Sequence, residues 1–230
     1  MYEEIRIVVE VVSAIVCFIL LWFMAKPYIL TRENRYLGLP LGFGFLGISY
    51  TVVALAISIP DFFASELAWL QLLPRTFAFL FLAVTYYFSK KPSKKSPLIW
   101  NVTISFLILV LITLVIMVMI YPRLDSPSYL GLSVYFRIFN LLCLSYLSVY
   151  ALRSHIRNLE PSTIVIPLCF ILLGMNQYSV IIWSVDRSYF AFWGALALRL
   201  AALVVILFVS YTAFYRSHKV VRNEKESSQR

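Results

Sequence analysis

Arg75, Arg137 and Arg199 define the chemistry open to this sequence. Each sits inside a long apolar stretch, and the two intervals between them are both 62 residues. An arginine in hydrocarbon costs about 2.5–3.5 kcal/mol on insertion scales, so its guanidinium must meet a carboxylate, an anion, water or headgroups. Few other polar groups share the same depth. Glu10 lies in the first stretch, Asn140 one turn beyond Arg137, and Asn176 and Gln177 lie together in the sixth. These seven residues are the candidate ligand-binding set. The arginines would clamp negative charge, and the carboxylate and amides would orient whatever carries it. Ser49, Tyr50 and Thr113 fall at related heights in the second and fourth stretches. Three positive charges against one negative call for a neutralising group, which could be a small anion, a lipid phosphate or a partner chain's carboxylate. A plainer alternative is that each arginine snorkels to the nearer headgroups, about 12 Å of helical rise away.

Each arginine is followed eleven residues later by a hydroxyl, Tyr86, Ser148 or Ser210. Eleven residues make three helical turns plus about 20°, so arginine and hydroxyl share a face. The repeating unit this suggests is a helical hairpin, present three times after a lone first helix.

The elements that must position these groups are membrane spans. Of the 230 residues 61% are hydrophobic and 13% charged, against about 45–50% and about 25% in a soluble domain. The apolar residues come in blocks long enough to cross roughly 30 Å of hydrocarbon, without the alternation of a membrane barrel. The predicted spans are Ile5–Ala25, Leu37–Ile59, Leu67–Phe88, Pro97–Ile120, Leu130–Leu152, Thr163–Trp183 and Ala191–Tyr215. The expected fold is therefore an all-α polytopic bundle of seven transmembrane helices over residues 1–215. A basic tail, 216–230, is too polar to bury a core and is expected to be disordered. Short connectors predict that sequential helices pack side by side. Pro27, Pro60, Pro92, Pro97, Pro122, Pro127 and Pro161 mark the turns.

The net charge of +9 is distributed as a membrane topology, not as a nucleic-acid surface. Fourteen Lys and Arg fall in the odd-numbered connectors and the tail, and three (Arg6, Arg123, Arg187) on the other side. The positive-inside rule then puts the N-terminus outside and the C-terminus in the cytoplasm, in a cell-membrane protein. The acidic start Met1-Tyr2-Glu3-Glu4 and the absence of a small-x-small site argue against a cleaved signal peptide. Cys17, Cys143 and Cys169 lie inside spans with no CxxC spacing and read as small apolar packers. The tyrosines near the inner ends (Tyr86, Tyr87, Tyr146, Tyr150, Tyr211, Tyr215) read as an aromatic belt.

Several functions lack their residues. The seventh span contains no lysine for a retinal Schiff base, and the two histidines, His155 and His218, fall in polar segments outside the spans, unsuited to haem. No cofactor is expected. Nor is there an HExxH, a nucleophile elbow, a P-loop or a set of intramembrane carboxylates for pumping, which points away from an enzyme. The expectation is a small sensor or binding module with an outer-half pocket for an anionic or polar ligand, among membrane lipids and with a cytoplasmic or membrane partner protein. A small-anion or metabolite transporter is the alternative, for which Pro167 and Gly174 would mark a broken sixth helix. A structural subunit of a larger membrane complex is the third reading.

Overall fold

The computed structural model describes residues 2–31, 36–59, 64–89, 96–120, 126–157, 164–186 and 188–227. All of its elements are helices: α1 (Tyr2–Thr31), α2 (Gly38–Ser58), α3 (Ala64–Ser89), α4 (Ser96–Ile120), α5 (Ser126–Arg157), α6 (Val165–Asp186) and α7 (Tyr189–Ser227). All seven are long and apolar enough to cross a membrane. The chain is a multi-pass membrane protein by this measure; five expected spans fall within a helix, Leu37–Ile59 overhangs α2 by one residue at each end, and Thr163–Trp183 starts ahead of α6, at a residue outside the described set. The turns marked by Pro60, Pro92, Pro122 and Pro161 lie outside the described residues.

Pro27, Pro74 and Pro167 lie within helices. Pro27 lies inside α1, which continues to Thr31. Pro74 lies inside α3, next to Arg75. Pro167 occupies the first turn of α6, where no backbone N–H is needed for the helix, and α6 then runs unbroken past Gly174. The broken sixth helix expected of a transporter is not there. At its far end α7 carries on as helix through the charged segment to Ser227, beyond the span that ends near Tyr215. Extending an existing helix needs no new nucleus, and the segment has neither Gly nor Pro to stop it.

The packing order is the main departure from expectation. Contacts run α1–α2–α3–α5–α6–α7 and back to α1, a closed ring of six, and α4 packs against α3 outside it. The hairpins α2–α3 and α6–α7 are packed pairs, but α4–α5 is not a close-packed hairpin. The reason lies in the composition of α4. It is apolar on every face and carries no charged residue, so lipid suits it as well as protein does. Its flank exposes Val102, Phe106, Leu109, Ile112 and Ile116. With α4 set aside, the ring consists of two three-helix runs, α1–α2–α3 and α5–α6–α7, each ending on an arginine-bearing helix.

Glycines let α2 sit close to its neighbours. A Cβ on Gly42 would come within 2.7 Å of Leu82 Cγ and 3.2 Å of the Ala78 carbonyl, and one on Gly47 within 3.0 Å of the Phe18 ring. The central core joins α1, α2, α3, α5, α6 and α7 through residues such as Leu20, Leu46, Phe79, Leu144, Leu173 and Leu203. A second cluster, with Trp69, Phe81, Trp100 and Leu111, fixes α4 on α3.

Candidate functional site

All seven polar residues singled out from the sequence line one cavity of about 450 Å³. Every ring helix contributes to it and α4 does not. The lining comes from the N-terminal parts of α1, α3, α5 and α7 and the C-terminal parts of α2 and α6, as alternating helix directions require. The cavity therefore lies in the half of the bundle that carries the N-terminus. Arg6, Trp183 and Phe192 also line a smaller space of about 160 Å³ at that end, with Glu3, Tyr189 and Trp193.

The three arginines are held in different ways. Arg199 is the most enclosed, 5% exposed. Its Nη2 lies 2.9 Å from Glu10 Oε1, an ion pair that ties α7 to α1. Its guanidinium carbon also lies 4.6 Å from the centre of the Tyr50 ring. The Arg75 guanidinium carbon is 5.0 Å from the same ring. Tyr50, 1% exposed, thus serves two cations from one ring, whose quadrupole attracts both. Arg75 Nε donates to Ser49 Oγ at 3.2 Å, and Ser49 Oγ donates to the Gln71 carbonyl at 2.6 Å. Arg137 Nη1 donates to the Val180 carbonyl on α6 at 3.3 Å. Since all three line the cavity, lipid-facing snorkelling is not their arrangement here.

The amides divide similarly. Asn176 Nδ2 donates to the Ala195 carbonyl at 2.7 Å, locking α6 to α7. Gln177 is 4% exposed on the cavity wall. Asn140 is wholly buried, and neither its Nδ2 nor its Oδ1 has a hydrogen-bond partner among the described residues. Glu10 Oε2 and Arg75 Nη2 are in the same position. Unpartnered buried polar atoms are costly and uncommon in native proteins, and these cluster on one cavity.

Sequence reasoning missed Arg6, which it had counted only among the basic residues of the outer side, along with Gln71, Ser133, Trp183 and Ser184. A signal existed for three of them. Arg6, Gln71 and Ser133 each stand four residues before Glu10, Arg75 and Arg137, one turn away on the same face. Thr113 does not join the site. It is exposed on α4, and its Oγ1 donates to the Leu109 carbonyl at 2.9 Å. Tyr86 is not a belt residue either: it packs edge-on against Tyr150 and Phe170 inside the bundle, at 5.5 and 5.7 Å. Ser148 and Ser210 donate to carbonyls one turn back in their own helices. Cys17, Cys143 and Cys169 are buried free thiols, as expected.

The described cavity wall thus carries four guanidinium groups and one carboxylate. Its volume lies within the roughly 300–1,000 Å³ usual for small-molecule sites. The class these features define is a polytopic α-helical membrane protein with a cationic cavity inside its ring. Compared with known protein families, with curated proteins and with solved structures, the chain matches none.

Proposed function

We propose that this chain is a small cell-membrane sensor or binding module whose cavity opens to the outside and takes an anionic ligand. The observation that carries it is the cavity wall, in which, among the described residues, Arg6, Arg75, Arg137 and Arg199 share a space with one carboxylate. Guanidinium forks suit carboxylate and phosphate groups, and the low-polarity surroundings of the bundle interior strengthen such contacts relative to bulk water. The outward orientation rests on the distribution of basic residues. A partner protein reading the basic inner face would carry the signal onward, and no catalytic role is part of this reading.

The transporter alternative asks for a polar path through both halves of the bundle. The space in the other half, about 140 Å³, is lined mainly by apolar groups such as Leu39, Phe43, Leu82, Ile166 and Phe170. That contrast favours binding over passage.

Thermal unfolding of the protein in phosphatidylcholine nanodiscs tests the proposal. Phosphate or small carboxylates should raise the melting temperature of the parent, since a ligand at about 100 times its Kd adds about 2.7 kcal/mol. Arg75→Gln and Arg137→Gln should abolish that rise. A parent protein indifferent to every anion would leave a scaffold or complex subunit as the reading.

A further inference from the structure

The two places where the three-helix runs meet are chemically unequal. Where α1 meets α7, Glu10 and Arg199 form an ion pair. Where α3 meets α5, α3 brings Arg75 to the cavity and α5 brings Arg137 and Asn140, and among the described residues neither helix adds a carboxylate to the lining. An anionic group is therefore best accommodated on the α3–α5 side.

Charge alone does not complete the site. Arg75 Nη2 and Asn140 Nδ2 are donors in want of acceptors, whereas Asn140 Oδ1 and Glu10 Oε2 are acceptors in want of donors. Asn140 is fully buried and Glu10 nearly so, and both face the cavity. A fully ionised inorganic anion, or a plain ionised diacid, only accepts hydrogen bonds and would leave both acceptors stranded. The ligand must carry negative charge and a donor together. Among the described lining residues four guanidiniums stand against one carboxylate, which further favours more than one negative charge.

We infer that the cavity takes a small dicarboxylate bearing a hydroxyl or amino group, with its carboxylates toward Arg75 and Arg137 and its donor toward Glu10 and Asn140. This rests on the anion-binding reading above and narrows it. Neighbouring ring helices are in contact all the way round. Entry is then from the end of the bundle, and the ligand is a free acid rather than a lipid headgroup.

The test is titration calorimetry on the full chain in phosphatidylcholine nanodiscs with succinate, malate, aspartate and sulfate. Malate or aspartate should bind at least ~10-fold more tightly than succinate, because an analogue lacking the donor leaves buried acceptors unpaired. Asn140→Leu, of similar size, should bring that preference to within about threefold while succinate still binds. Should this variant fail to fold, the parent's own preference decides. Equal affinity for succinate, malate and aspartate, or binding of sulfate alone, overturns the inference and leaves the anion cavity standing. No binding by any of the four overturns both. Loss of malate and aspartate binding in nanodiscs doped with phosphatidylglycerol, with a raised melting temperature, would assign the site to a lipid headgroup and overturn the free-acid assignment.

Discussion

At the scale of single residues, the three arginines spaced alike along the chain are not alike in the fold. Arg199 has a carboxylate and the Tyr50 ring for partners, and Arg75 has the Ser49 hydroxyl and a share of the same ring. Removing one member of a buried ion pair strands the other, at about 3–5 kcal/mol. Arg199→Gln and Glu10→Gln should each destabilise the protein by about that amount with no ligand present. Arg75→Gln leaves no carboxylate stranded and should cost clearly less; denaturant unfolding in mild detergent ranks the three. Equal losses at all three positions would contradict the division. The site residues were legible because a polar group deep in an apolar span has few places to go but inward. The logic failed where a group could meet its own needs. Thr113 satisfies its hydroxyl on the Leu109 carbonyl and so can face outward, and Arg6, near a helix end, looked interfacial.

At the scale of elements, span existence was readable from hydropathy, because only a helix can satisfy its own backbone in lipid. Helix neighbours were less readable. The rule that short connectors make packed neighbours failed for α4 and α5, since an all-apolar helix gains little by burial when the solvent is lipid. Glycines decide approach distance more sharply. Gly42→Ala places a methyl group against Leu82 and the Ala78 carbonyl and should lower stability by about 1–3 kcal/mol. Gly131→Ala and Gly194→Ala meet nothing within 4 Å, and helix propensity favours alanine by up to about 1 kcal/mol. Melting temperatures should therefore fall for the first and hold or rise for the other two.

At the scale of the whole molecule, the proposed orientation rests on the distribution of charge. Single cysteines placed in a background without Cys17, Cys143 and Cys169 read it out. Those near Asp61, Asp125 and Asp186 should label from outside intact cells, and those near Lys94, Arg157 and Glu224 only after the membrane is opened. The reversed pattern would turn the cavity toward the cytoplasm. The hairpin repeat suggested by the arginine spacing is not the unit of packing. Arg75 and Arg199 occupy matching third helices of the two runs, while Arg137 lies on the first helix of the second run.

The outlying position of α4 makes the protein divisible. The runs α1–α3 and α5–α7 are joined in sequence by a helix that touches neither the cavity nor the α5–α7 run in any extensive way. What unites them is non-covalent: the Glu10–Arg199 pair and Arg6 over Phe192 on one side, Trp69 against Phe136 and Tyr86 against Tyr150 on the other. A chain cut between α4 and α5 and expressed as two fragments should therefore reassemble in the bilayer and co-purify. Each fragment would insert on its own hydropathy, and the two would find each other as subunits do. In that sense the molecule is an intramolecular heterodimer, with α4 as the leash that keeps its halves at a high local concentration.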